Sequence, residues 1–398
     1  MSEEKLVPKL RFSGFDDEWK SFKLSEISKR ITRKNKSLET DRPLTISAQY
    51  GLVDQIEYFN KIVASKSLKG YYLLNKGEFA YNKSYSNGYP FGAVKRLDDY
   101  ENGAISTLYI CFNTNDKMNS DLLKEYFETD KWHEEIYKIA VEGARNHGLL
   151  NVAVGDFFNT KHVLPTNNHE QEKIAKFLIE INTKIDLLEN KHKAYQDFKK
   201  YLMQKIFAQE LRFNFDDEWK QYKLKDVLTV KSSSISINQL EENTGDYPLY
   251  GASGFLKNID FCEMDVDYIS IVKDGSGVGN LSFHEKNSSI VNTSQYLLPK
   301  KNFNINFLYY LLQTINLMKY VNGSSIPHIY FKDYCIEKIN IPSLDEQEKI
   351  GKLFVDVDIT MENLNKNINA TQEFKKGLLQ QMFVVQLILS LLQNKKHI

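Results

Sequence analysis

Few residues in this chain of 398 have the types and spacing that covalent chemistry requires. Residues 275–280 read GSGVGN, a glycine-rich stretch of the kind that cradles phosphates. It lacks the last glycine of GxGxxG at Asn280 and the GK[ST] of a phosphate loop, and it leads into the strand-like LSFHE rather than a helix. Glu373, Phe374 and Lys375 give the carboxylate–lysine spacing of a nuclease, but inside a helical segment where a solvated face explains it better. The eight histidines show no HExxH, and Cys111, Cys262 and Cys335 form no CxxC pair. These residues favour binding over catalysis.

The elements that would position a binding surface come in two copies. LRFSGFDDEWKSFKL at residues 10–24 returns as LRFNFDDEWKQYKL at 211–224, with DDEWK shifted by 200 positions. EQEKI at 170–174 returns at 346–350, and FKK at 198–200 returns at 374–376, both shifted by 176. One unit is used twice, and the second copy is 24 residues shorter between its anchors. Units this long, and only two of them, do not make a solenoid. The stretches between anchors hardly align, as expected when one scaffold must recognise two different things.

After each EQEKI the periodicity predicts a long helix without proline. Ile174, Leu178, Ile181, Ile185, Leu188, Tyr195, Leu202 and Ile206 follow heptad spacing, as do Ile350, Phe354, Val357, Met361, Leu364, Ile368, Leu378 and Met382. Lys199 and Lys375 interrupt both seams at the same place. About 38 residues at 1.5 Å each make a rod of about 55–60 Å, and a coiled coil fits better than a pair of ordinary core helices. Each variable segment reads as mixed α and β. TISAQYG, GEFAYNK and ISTLYICF precede an amphipathic helix carrying Leu122, Leu123, Phe127, Trp132, Ile136 and Ile139. YPLYGASG, DYISIVKDG and IVNTSQYLLP precede a helix near residues 305–320. The fold class is α+β: a tandem duplication of a mixed α/β domain plus a long helix, with the helices forming an antiparallel coiled coil. The expected boundaries are 1–167, 168–208, 209–343 and 344–384, with a tail at 385–398.

Composition sets outer bounds. Lys plus Arg equals Asp plus Glu at 52 each, with 42% hydrophobic and 13% aromatic residues, so the chain can fill cores and carries no bulk positive charge. The neutrality hides segregation: residues 20–96 carry a net +9 and residues 97–135 a net −7. Three scattered cysteines and no signal peptide at Met1-Ser2-Glu3-Glu4 point to the cytoplasm. The longest apolar run, VVQLILSLLQ at 384–393, is about half a bilayer span, so no membrane partner is expected.

Taken in order, these strings resemble the specificity, or DNA-recognition, subunit of type I restriction–modification systems along nearly the whole chain. The resemblance rests on the twice-used LRF-then-DDEW lead-in, the proline followed by EQEKI, and FKK-x-L-x-Q-x-[IM]-F near each helix end. YFNKIVASK, GEFAYNK, YPLYGASG, KDGSGVGNLSF, GARNHGLLNVAVGDF and GSSIPHIYFKDY add to it. The resemblance implies that each variable segment is a target recognition domain reading one half of a split, asymmetric double-stranded DNA sequence. It also implies that the two helices set the spacing and carry methyltransferase subunits, with restriction/translocase subunits joining through the complex. S-adenosylmethionine, ATP and Mg are then expected in the partner subunits and no cofactor in this chain, which lacks the N-P-P-[FY] motif of adenine methyltransferases. One departure is the end of the second copy, VVQLILSLLQNKKHI, where the first runs into AQELRF.

On that reading, loops offering donors, flat side chains or close backbone approach become the DNA-contact candidates. In the first domain these are Gln49, Tyr50, Lys83, Ser84, Tyr85, Ser86, Asn87, Arg145, Asn146 and His147. In the second they are Tyr250, Ser253, Lys273, Ser276, Thr293, Ser294, Ser324, Ser325 and His328. Gly251, Gly254, Gly275 and Gly277 would let backbone amides approach phosphates. Two other classes compete: a fused restriction–modification enzyme, opposed by the missing motifs, and a coiled-coil scaffold with two protein-binding heads.

Overall fold

The computed structural model describes residues 4–61, 64, 67–85, 88–140, 150–237, 240, 245–323 and 326–389. It divides into two compact units, one of residues 1–187 with 368–398 and the other of residues 188–367. The fold is α+β in both.

In the first unit, strand Lys20–Lys23 pairs antiparallel with Lys161–Leu164, so the two ends of the variable segment are tied side by side. Between them lies a four-stranded sheet in the order 28–31, 110–114, 79–82, 93–96, and a second in the order 51–54, 43–47, 102–105, 72–75. Two short helices, Ser120–Phe127 and His133–Ile139, account for the amphipathic segment. Their apolar faces join Trp19, Phe79, Phe112 and Phe157 in an aromatic-rich core. Ile174, Leu178 and Ile181 of the first long helix, Asn168–Phe207, enter that core together with Leu378 and Met382 of the second, Leu344–Met382. The opening turns of one helix thus lie with the closing turns of the other.

The second unit repeats the plan with different residues. Lys220–Lys223 pairs with Lys338–Ile341, and its four-stranded sheet runs 228–232, 294–299, 268–272, 281–284. That is the same order, with the same antiparallel pairings, as the first sheet of the other unit. A three-stranded sheet, 254–259, 247–251, 289–290, stands where the first unit has four strands. Helix Ile305–Gln313 is followed by a short 3-10 turn, Leu317–Tyr320. Leu202 and Ile206 share this core with Ile350 and Phe354, so the helices run antiparallel here as well.

One arrangement occurs in both units. Arg11 of the first LRF forms a forked ion pair with Glu170 at 2.7 and 2.8 Å, and Arg212 of the second does the same with Glu346 at 2.8 and 2.7 Å. Each guanidinium also donates to the backbone carbonyl of Asp17 or Asp217. The neighbouring glutamine completes the anchor. Gln171 accepts from the backbone N–H of Asn119, the cap of helix Ser120–Phe127, and donates to the carbonyl of Pro165. Gln347 makes the same pair of bonds with Asn304, the cap of helix Ile305–Gln313, and Pro342. All four side chains of these Glu-Gln pairs are buried.

The chain's two outer segments also meet. Glu4–Pro8 pairs antiparallel with Val385–Leu389, and the N–H of Lys9 donates to the carbonyl of Val384. Residues 385–389 of the tail thus close the first unit as a strand, where the second unit runs on unbroken from Phe207 to Leu211, and residues 390–398 lie outside the described residues.

Two predictions follow from this packing. Arg11→Ala leaves the Glu170 carboxylate buried and uncompensated, and should lower the stability of the first unit by ~3 kcal/mol or more in chemical denaturation. His162 is buried between the Tyr126 hydroxyl, 3.0 Å from Nδ1, and the Thr160 hydroxyl, 2.8 Å from Nε2. Burial lowers its pKa from the usual 6.5 to about 4. Between those values the unfolded chain binds a proton that the folded one refuses, so stability is complete above that window and is lost as pH falls through it. The melting temperature of the first unit should decline over that range, and His162→Gln should flatten the decline.

Candidate nucleic-acid interface

In the second unit, four segments chosen from sequence meet at one end of the four-stranded sheet. Strand Tyr268–Val272 is followed by Lys273, whose N–H donates to the carbonyl of Thr293 and whose carbonyl accepts from Ile329, both at 2.9 Å. The N–H of Gly275 donates to Pro327, joining the glycine-rich loop to the segment before the second long helix. Asn322 and His328 exchange backbone hydrogen bonds. Gly323 has φ +88°, and a Cβ there would lie 2.5 Å from the Ile326 carbonyl, so glycine is required. Tyr250 accepts through its carbonyl from Val291, and Ala252 approaches Gly277, which brings in the turn of hairpin 247–259.

The side chains on this end are mixed in character. Ser253, Ser276 and Thr293 are exposed hydroxyls, and the His328 ring leans on Tyr330 with centroids 5.0 Å apart. Lys273 is partnered by Asp274 at 3.0 Å, so an incoming phosphate would compete with a carboxylate already present. Ser294 is buried within strand Ser294–Pro299. Beneath the surface Tyr250 and Tyr268 flank His284, with ring centroids 4.4 and 5.0 Å from it, and the His284 Nε2 meets the Ser270 hydroxyl at 2.9 Å. Burial lowers the His284 pKa to about 4 and holds the imidazole neutral. Periodicity gave no sign of this aromatic sandwich, because its members come from three strands.

The first unit presents Lys83 at the equivalent place, directly after strand Phe79–Asn82. Its carbonyl accepts from the N–H of Leu150 at 2.8 Å, matching the Ile329-to-Lys273 bond, and its ammonium reaches the carbonyl of Val152. The Ser84 N–H is capped by the Asn82 side chain, and Tyr85 is exposed. Gln49 and Tyr50 lie instead in a turn of the other sheet, where the exposed Tyr50 ring pairs with Tyr58 at 6.4 Å. Among the described residues no hydrogen bond or ring contact joins that turn to residues 83–85. Ser86, Asn87, Arg145, Asn146, His147, Ser324 and Ser325 lie outside the described residues.

One feature was legible only in part. A lysine follows the central strand in both copies, in FAYNK and SIVK. That these lysines are equivalent depends on sheet order, which the unaligned sequences conceal. Among the described residues no cluster of three His, Cys, Asp or Glu side chains could hold a metal ion, and no helix is long and apolar enough to cross a membrane.

Comparison with known proteins agrees with this architecture. The sequence model of the type I restriction modification DNA specificity domain matches residues 216–372. The chain is 28% identical over 182 residues to the type I restriction enzyme MjaVIII specificity subunit of Methanocaldococcus jannaschii, covering 42% of each chain. It is 22% identical over 289 residues to a putative type I specificity subunit of Mycoplasma genitalium, covering 68% of this chain and 73% of that one. The chain thus spans less than half the length of the first of these relatives. Among solved structures, a type I restriction–modification S subunit from M. genitalium superposes with a TM-score of 0.63 at 18% identity, covering 95% of this chain and 99% of that one. The chain therefore resembles the specificity subunits of type I restriction–modification systems, with their DNA specificity domain matched at residues 216–372 and their fold over nearly its whole length.

Proposed function

We propose that this chain is the sequence-reading, non-catalytic subunit of a type I restriction–modification complex in the cytoplasm. Each recognition domain reads one half of a bipartite, asymmetric site in double-stranded DNA. The long helices set the spacer and dock methyltransferase subunits, through which restriction/translocase subunits join. S-adenosylmethionine, ATP and Mg belong to those partners.

The observation that carries this reading is the equivalence of Lys83 and Lys273. Two sheets of one order end in a lysine at the same strand, each tied to the segment that precedes a long helix. Lysines at such sites supply phosphate contacts that fix position, while nearby hydroxyls and imidazole are the kind of group that reads base edges. Divergent loops on a common frame suit two unlike half-sites.

The test is methylome sequencing of one host carrying the complex with either of two variants. Lys83→Ala with Tyr85→Ala should weaken or relax methylation through one half-site, and Lys273→Ala with Ser276→Ala through the other. In purified complexes each lost phosphate contact should reduce the salt slope of DNA binding by about 0.9. Binding that ignores salt, or variants that alter both halves equally while folded, would instead favour protein-binding heads.

The spacer is tested separately. Seven residues inserted after Leu188 and again after Leu364 keep the heptad phase and lengthen each helix by about 10 Å. At 3.4 Å per base pair the methylated site should gain about three base pairs of spacer with both half-sites unchanged.

A further inference from the structure

The lysines that interrupt the two helix seams each sit in a polar triad, and the two triads are built differently. In the first unit the Lys375 ammonium lies 3.1 Å from Glu125 Oε2, and Asn182 donates to Glu125 Oε1 at 2.7 Å. In the second unit the Lys199 ammonium contacts both oxygens of Asp358, at 2.6 and 2.8 Å. There Tyr310 donates to Asp358 Oδ2 at 2.7 Å, and its ring centroid lies 5.0 Å from the ammonium.

The six residues occupy three equivalent positions. Lys199 and Lys375 are 176 apart, as are Asn182 and Asp358. Glu125 and Tyr310 are each the sixth residue after the asparagine that caps their domain helix, Asn119 or Asn304. Both triads therefore hold one lysine and one carboxylate. In the first the acid comes from the recognition domain and the long helix supplies an amide. In the second the acid comes from the long helix and the domain supplies a phenol.

We propose that these positions form a matching code between a recognition domain and the pair of long-helix positions that seats it. Asn182 with Lys375 accepts a domain whose helix brings an acid at the sixth residue, and Asp358 with Lys199 accepts one that brings a neutral hydroxyl. A mismatched domain fails in either direction. Glutamate beside Asp358 sets two carboxylates on one lysine, and tyrosine beside Asn182 leaves Lys375 without an anion in a largely dry site. The code is independent of the DNA that either domain reads, and each triad lies within one unit. It is therefore tested by stability alone.

The test uses the full chain, with acid–amide exchanges in the first unit, read by thermal unfolding. Glu125→Gln should lower the transition of the first unit by roughly 10 °C, as expected when a buried pair loses one partner. Asn182→Asp alone should also lower it, because two carboxylates then share Lys375. The double variant moves the acid from domain to helix, and should recover more than half of the summed loss. In the second unit Tyr310→Glu should destabilise both by losing the ring packed on Phe354 and by setting two carboxylates on Lys199, and adding Asp358→Asn should recover the second part of that loss. The crossed pair, Glu125→Gln with Asp358→Asn, should show no rescue. Where a single variant does not fold, recovery of folded protein in the matched double is the same positive result. Additive losses in both matched doubles, or rescue in the crossed pair, would overturn the code.

Discussion

The structure depends on a carboxylate and an amide buried at the start of each long helix. An isolated buried carboxylate is costly, and Glu170 and Glu346 are sustained by position and partner together. They lie in the first turn, where the helix dipole favours negative charge, and each meets a guanidinium in a forked geometry. Because that guanidinium comes from the LRF strings, the carboxylate draws the beginning of each unit onto the helix that ends it. The adjacent glutamine then uses its oxygen on one element and its nitrogen on another. It fixes the domain helix cap and the exit of the last strand at one point. The shared apolar cores and the seam triads then continue this attachment along each helix.

That constraint explains how the segments between anchors diverge while the fold persists. Both ends of each segment are held by a strand pair and by the glutamine, and the main sheet keeps one order in both units. Between them a strand needs only alternation and the right length. The loops that connect strands are freer still, which is why Lys83 and Lys273 are equivalent in place while their surroundings differ.

Much of this was legible in the residues, and the rest was hidden for physical reasons. The seams read correctly because burial of Ile174, Leu178, Phe354 and Leu364 follows a period that the helix imposes. DDEWK and EQEKI marked the duplication, but the Arg11–Glu170 pair spans 159 positions and no local pattern announces it. The seam lysines were visible as interruptions, yet their acids come from different elements in the two units. Residue type sets Gln49 and Tyr50 beside Lys83, Ser84 and Tyr85, whereas the former lie in the turn between strands 43–47 and 51–54 and the latter follow strand 79–82 of the other sheet. Ser294 was chosen for its hydroxyl, and strand alternation turned that hydroxyl inward.

The pairing of Glu4–Pro8 with Val385–Leu389 also orders events in time. The second unit is one uninterrupted stretch, so all of its residues are joined before the closing turns of the second long helix are added. The first unit begins synthesis earlier and finishes later, because Leu378, Met382 and Phe383 belong to its core. Until they arrive, its half of the first long helix lacks its closing partner. The half made first is therefore the half assembled last, and the nascent chain must carry an unfinished apolar surface through most of its own translation.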